Sequence, residues 1–212
     1  MTVNMPGKSG HNRAPAALSV EMPETRDREV LLLLEQGDPR GFDLAYARYA
    51  ERIFGFLLRL SGSRAVAEDL FQHTFMRLAQ AGARLRADSD LRAWLFSVAR
   101  NAFHSHARSR NVEARADIEL MPAPRGTGAS PDSGLALDEL ERALAGLHAG
   151  DRELLLLFGV EGLSHAKLAA VLELDQVTVR KRISRARARL AEALDGDARV
   201  MSKSKVSDDR SR

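Results

Sequence analysis

Hydrophobic positions recur along this chain at three- and four-residue steps, and no long segment alternates apolar and polar residues as a half-buried strand would. Phe42, Tyr46, Tyr49, Ile53, Phe56, Leu57 and Leu60 mark one buried helical face, closed by a turn at Ser61, Gly62 and Ser63. The next segment, AVAEDLFQHTFMRLAQ, buries Val66, Leu70, Phe71, Phe75 and Leu78 by the same spacing and turns Glu68, Asp69, Gln72 and Met76 outward. A loop over 82–90 ends at Asp90, whose carboxylate suits the N-cap of the helix that follows. In LRAWLFSVARNAFHSHARSR, Leu91, Trp94, Leu95, Val98 and Ala102 form an apolar stripe. Ser97, Arg100, Asn101, His104 and Arg108 fall opposite it at about 100° per residue, which predicts a free basic face.

Three stretches break this rhythm. Residues 1–27 mix Pro, Gly, Ser and Asn with few large apolar side chains and read as a disordered tail. Residues 111–134 carry Pro122, Pro124, Gly126, Gly128, Pro131 and Gly134 without sustained periodicity and read as a linker. Residues 195–212 are polar and are expected to fray after Leu194. The fold class that follows is all-α, with two small helical domains, 28–110 and 135–194, joined by a flexible linker.

The second domain ends in two short helices around a tight turn, 164–172 and 176–191, the pattern of a helix-turn-helix. Ser164 is placed to cap the first, although Lys167 stands where a capping box would put Glu or Gln, and Asp175 is placed to cap the second. Val179, Ile183, Ala186 and Leu190 share a narrow arc that docks the second helix, while Lys181, Ser184, Arg185 and Ala188 lie almost opposite. Six basic residues, Arg180, Lys181, Arg182, Arg185, Arg187 and Arg189, occur between Gln176 and Ala191 with no acid among them. DNA supplies the missing countercharge: phosphates bound by Lys and Arg release condensed counterions, and Arg pairs bidentately with guanine in the major groove. A basic run alone is as readily a solvated surface; preceded by a capped short helix and a turn, it reads as a recognition helix.

Composition narrows the function classes. Hydrophobic residues make up 44% and charged residues 29%, enough apolar content to build a core. Net charge is only +3, so the basic residues matter by position rather than in total. Cysteine is absent, which excludes disulfides, thiolate metal sites and cysteine nucleophiles. His104 and His106, two apart on a helix, point to different faces, and no Ser-His-Asp set or glycine-rich phosphate loop stands out. Neither a metal, another cofactor nor an enzymatic activity is expected. The longest nearly apolar run, from Leu154 to Val160, is too short to cross a bilayer, and the N-terminus lacks the apolar stretch of a secretion signal, so no membrane insertion and a cytoplasmic location are expected.

The residues from about Phe42 to Leu194 resemble the sigma-70 family of RNA polymerase sigma factors in its extracytoplasmic-function (ECF) branch. AEDLFQHTFMRL, from Ala67 to Leu78, is similar to region 2.2, whose exposed face grips the clamp helices of the polymerase beta-prime subunit; the resemblance implies core-binding roles for Asp69, Gln72 and Met76. AWLFSVARN, from Ala93 to Asn101, is similar to the region 2.3–2.4 helix that contacts the minus-10 element. It implies a minus-10 surface of Arg86, Asp88, Ser89, Arg100, Asn101, His104 and Arg108, with the loop from Arg84 to Asp90 against the non-template strand. GLSHAKLAAVLELDQVTVRKRISRARARL, from Gly162 to Leu190, is similar to region 4.2, which enters the major groove at the minus-35 element and binds the beta flap beside it. That similarity implies minus-35 contacts by Gln176, Thr178, Arg180, Lys181, Ser184 and Arg185. The implied partners are core polymerase, promoter DNA and, as a further candidate, an anti-sigma factor.

This chain departs from the family pattern at His73, usually acidic, at Glu173 and Val177, often glycine, at Lys181, commonly serine, at Ser105, frequently Asp, and at His148, commonly Pro. Two other readings stay open. A helix-turn-helix regulator would share the C-terminal unit but needs an alternating strand-helix receiver domain. A polymerase-binding adaptor without sigma activity would share the Asp69 face but has no use for the basic helix.

Overall fold

The computed structural model describes residues 23–116 and 135–208, with side-chain environments over 27–110 and 137–195. All regular structure among the described residues is helical, and the fold comprises two helical modules. In the first, α1 (Pro23–Glu35) packs on α2 (Pro39–Ser61), α2 on α3 (Arg64–Ala81), and both α2 and α3 on α4 (Leu91–Ala116). The second module consists of α5 (Leu135–Gly146), α6 (Ala149–Leu155), α7 (His165–Leu172) and α8 (Gln176–Asp208), with α5, α6 and α7 all resting on α8. Residues 117–134, the greater part of the expected linker, lie outside the described residues.

Local chemistry fixes most helix ends. Asp38 accepts from the Arg40 amide at 2.9 Å at the start of α2, and Pro39 occupies the first helical position, where an amide proton would lack a partner. Gly62 closes α2 in a left-handed conformation, and its amide donates to the Leu58 carbonyl. Asp90 caps α4 as its position suggests, accepting from the Ala93 amide at 2.8 Å.

Helix α1 was not evident from periodicity. It begins at Pro23, inside the segment expected to be a tail, and sinks Val30, Leu31 and Leu34 into the core. The run of four leucines from Leu31 to Leu34 hides its amphipathic spacing, and Leu32 is 40% exposed. Gly41 lets α2 approach this helix closely: a Cβ there would lie 2.7 Å from the Leu34 amide nitrogen.

Both module ends also run further than expected. Helix α4 continues to Ala116 and α8 to Asp208, where fraying was expected after Leu194. From 195 to 208 there is one glycine and no proline, so a helix already nucleated upstream can extend on local propensity. The first buried stripe needs one correction and α4 another. Tyr46 is 44% exposed, and Phe96 and Ala99 are fully buried whereas Trp94, Val98 and Ala102 are only half-buried.

The modules pack against each other, with α7 against α4 and α5 and α6 against α2. Charge complements charge across this contact. Arg52 meets Glu161 at 2.8 Å, Arg59 meets Glu141 at 3.1 Å, and Lys167 meets Asp90 at 2.9 Å. Arg152 donates to the Leu60 carbonyl at 3.2 Å and also to the carbonyls of Leu144, Ala145 and Leu147.

Candidate nucleic-acid and polymerase interfaces

Helix α8 is held by one face and offers the other. Val179, Ile183 and Ala186 are buried and Leu190 is half-buried, matching the arc read from sequence. Asp175 anchors the helix start: its carboxylate accepts from the Thr178 amide at 2.8 Å and from the Thr178 hydroxyl at 2.6 Å, and these bonds hold its pKa below the usual value. The Thr178 hydroxyl is therefore engaged in the cap. Gln176, Arg180, Lys181, Ser184 and Arg185 are exposed. Two further basic residues, also exposed, touch their own module. Arg187 lies 4.9 Å from the centroid of the Phe158 ring, and Arg189 pairs with Asp151 at 2.5 Å. Arg182 is exposed as well, so all six cations of this stretch reach the surface.

The turn before α8 carries backbone strain. Glu173 has φ 55° and ψ 43°, and among the described residues it is the one non-glycine with positive φ. The motif is closed by the Leu174 amide donating to the Ala169 carbonyl at 2.9 Å. Ser164 caps α7 by accepting from the Lys167 amide at 3.3 Å. Lys167, out of place in a capping box, reaches Asp90 of the first module.

The face of α4 is only partly free. Arg100 donates to Glu153 Oε1, and His104 Nε2 lies 2.9 Å from Glu153 Oε2, so one carboxylate of α6 holds both members of the expected basic surface. Glu153 is only 3% exposed. The sequence spacing correctly put Arg100 and His104 on one face, but it carried no information about a carboxylate 53 residues away in sequence. Asn101 and Arg108 are exposed. His106 has a buried Nε2 that forms no hydrogen bond.

The loop before α4 is folded on itself. The Arg86 amide donates to Ser89 Oγ at 3.1 Å and its guanidinium to Asp88 at 3.2 Å. A cleft of about 660 Å³ opens beside it, lined by Arg28, Glu35, Arg86, Ala87 and Asp88. Arg28 and Glu35 come from α1 and had no sequence signal pointing to the loop.

On α3, Asp69, Gln72 and Met76 are all exposed, Met76 by 59%. Tyr46 of α2 joins Phe71 and Phe75 of α3 in an edge-packed aromatic cluster, with the Tyr46 and Phe75 rings 4.9 Å apart. Sequence reasoning counted Tyr46 and Phe71 as interior; Tyr46 is a surface residue of the α2–α3 side, and Phe71 is half-buried.

Two family models match this architecture module by module: Sigma-70 region 2 over residues 45–112 and Sigma-70, region 4 over 137–190. The RNA polymerase sigma-H factor of Pseudomonas aeruginosa is 30% identical, the match covering 82% of this chain and 96% of that one. The chain belongs to the ECF group of the sigma-70 family. The sigma factor CarQ of Myxococcus xanthus is 34% identical over 74% of this chain and 91% of its own length, and the ECF sigma factor EcfG of Rhodopseudomonas palustris is 32% identical over 66% and 77%. Among solved structures, the sigma factor RpoE of Bartonella quintana in complex with the anti-sigma factor NepR has a TM-score of 0.67 at 31% identity, covering 73% of this chain and 96% of that one. CnrH in complex with the cytosolic domain of CnrY gives 0.61 at 28% identity, with 81% and 99% covered.

A sigma factor is a DNA-binding initiation factor, and region 2 and region 4 correspond to the two modules here. The presence of region 2 disposes of the response-regulator reading, because a receiver domain is not what precedes the helix-turn-helix. No described helix is long and apolar enough to cross a membrane, and the described residues contain no group of three or more His, Asp or Glu suited to a metal.

Proposed function

We propose that this sigma factor divides its work between two helical modules. Region 2 holds core polymerase at the beta-prime clamp helices through Asp69, Gln72 and Met76, and region 4 reads the minus-35 element through α8. The reading rests on the exposed cations of α8, Arg180, Lys181, Arg182 and Arg185, with Lys181 and Arg185 set opposite the buried arc that fixes the helix to its module. Gln176 and Ser184, exposed on the same helix, add hydrogen-bonding groups for base edges. Thr178 contributes through the cap it forms with Asp175.

At the minus-10 element, Arg100, Asn101, His104 and Arg108 of α4 contact the duplex edge, and the loop carrying Arg86, Asp88 and Ser89 faces the non-template strand. Strand separation costs a few kcal/mol for each unstacked base, so it needs a site that returns part of that free energy. The cleft between this loop and α1 offers such a place, with two arginines and two carboxylates to bond base edges and backbone. The beta flap beside region 4 and an anti-sigma factor complete the partners, the latter by extension from the Bartonella quintana complex. Polymerase performs the chemistry and the sigma factor directs it without a cofactor, in the cytoplasm where polymerase acts.

Run-off transcription with purified core polymerase on genomic fragments tests this directly. Discrete transcripts should appear only when the protein is added. A chain that binds core polymerase yet yields no new start sites would be an adaptor instead.

A further inference from the structure

Helical spacing groups Lys181, Ser184 and Ala188 on the side of α8 that points away from its module, and Val177 heads that stripe. It lies four residues before Lys181 and about 160° around the helix from buried Val179, at about 100° per residue. Val177 is 57% exposed. Gln176, Arg180, Lys181 and Ser184 beside it are exposed too, and no acid occurs between Gln176 and Ala191. An isopropyl group thus stands outward among cations and hydrogen-bonding groups on the first turn of the helix.

We infer that Val177 is a specificity-determining residue of the minus-35 contact, packing against the C5-methyl group of a thymine in the major groove. This rests on the assignment of α8 to that element made above and adds the base it selects. In the family pattern the place of Val177 is often held by glycine, which has no side chain to make such a contact.

A recognition helix meets base edges with the residues of its N-terminal turns. The major groove presents acceptors at N7, O6 and O4, amino donors, and one apolar group, the thymine methyl. The valine side chain has neither donor nor acceptor, so against any other edge it would strip water from a polar atom and return no hydrogen bond. Against the methyl it gains apolar burial without that cost. The neighbouring cations supply the charge complementary to the phosphates that frame the groove. The side chain is also held in place. Branching at Cβ leaves valine one strongly preferred rotamer in a helix. Asp175, two residues earlier, fixes the turn by accepting from the amide and the hydroxyl of Thr178 at 2.8 and 2.6 Å. The same cap engages the Thr178 hydroxyl, so Gln176 and Val177 are the first-turn side chains left to face bases.

The full-length protein, assembled with core polymerase, is used to select from duplexes randomised across the minus-35 region. The unsubstituted protein should enrich a thymine at a position that Val177→Ala leaves degenerate and Val177→Ile retains. Replacing that thymine by deoxyuridine removes only the methyl. It should weaken binding about fourfold, the worth of burying one methyl-sized group, and Val177→Ala should be indifferent to the replacement. Equal thymine enrichment by both proteins, or equal binding of the thymine and uracil duplexes by the unsubstituted protein, would overturn the role of Val177 and leave the minus-35 assignment standing. No enrichment of any base, or enrichment untouched by Lys181→Ala with Arg185→Ala, would instead remove that assignment and the thymine contact with it. On the uracil duplex Val177→Ala should bind as the unsubstituted protein does. A loss there as well would make Val177 a structural residue and overturn its part in base selection.

Discussion

The guanidinium of Arg52 and the carboxylate of Glu161 meet at 2.8 Å, joining region 2 to region 4 across 109 positions of sequence. Glu161 is 4% exposed, and burial pushes its carboxyl above the usual range against the opposing pull of Arg52. The two partners are therefore not equivalent. Arg52→Ala removes the ion-pair partner of a buried carboxylate, leaving it the weaker attraction of Arg92 and Arg59, and should destabilise the protein by about 1–3 kcal/mol, below the value for a fully buried pair because the arginine is partly solvated. Glu161→Gln keeps the shape and removes a desolvated charge, so it should cost less. Chemical denaturation of the two variants compares them, and equal losses would show that burial of Glu161 carries no strain.

The same carboxyl sets a pH dependence. A folded-state pKa raised above the unfolded value contributes stability that is present below the unfolded pKa and is lost as pH rises through the folded one. Relative to Glu161→Gln, the unsubstituted protein should therefore gain thermal stability on mild acidification from neutral pH. A pH-independent difference in melting temperature between the two would contradict this.

Asp175 behaves in the opposite sense. Hydrogen bonds from the Thr178 hydroxyl and amide lower its pKa, so its contribution is present above the usual carboxylate pKa and disappears as pH falls through the depressed value. Asp175→Asn should retain the cap and flatten this acid dependence, whereas Asp175→Ala should lose the cap at every pH. Amide exchange at the first turn of α8 reads the difference.

Glu173 sits in the left-handed region at the turn of the helix-turn-helix, where Gly37, Gly62 and Gly162 fill the comparable positions elsewhere. Glu173→Gly removes the Cβ penalty, offset in part by greater unfolded-chain entropy, and should raise stability by about 1 kcal/mol. An increase in melting temperature with unaltered DNA binding is the expected result. A decrease would mean that the glutamate side chain makes a compensating contact.

Division of labour between the modules can be tested by paired substitutions. Lys181→Ala with Arg185→Ala should weaken promoter binding by about 1–3 kcal/mol and reduce its salt dependence, leaving core polymerase binding largely intact. Asp69→Ala with Gln72→Ala should do the reverse. Parallel loss of both activities in either pair would reject separate surfaces.

Much of this protein was legible along the chain because helices are local objects. Three- and four-residue spacing placed the stripes of α2, α3 and α8, and short-range capping chemistry announced Asp90, Ser164 and Asp175. The exposed faces of α3 and α8 followed by subtraction, as did the all-helical, two-module architecture. Periodicity failed where its assumptions did: a run of consecutive leucines masked α1, and α4 touches neighbours on more than one side, burying Phe96 and Ala99 while leaving Trp94 half-covered.

What only the tertiary structure decided is which charges meet. Arg100 and His104 were grouped correctly by helical geometry, yet their shared partner Glu153 lies on another module, as Glu161 does for Arg52 and Asp90 for Lys167. Helical periodicity follows from backbone geometry repeated every few residues, so sequence alone fixes it. Pairing between modules depends on how two finished surfaces dock, and electrostatic attraction acts through space irrespective of order along the chain.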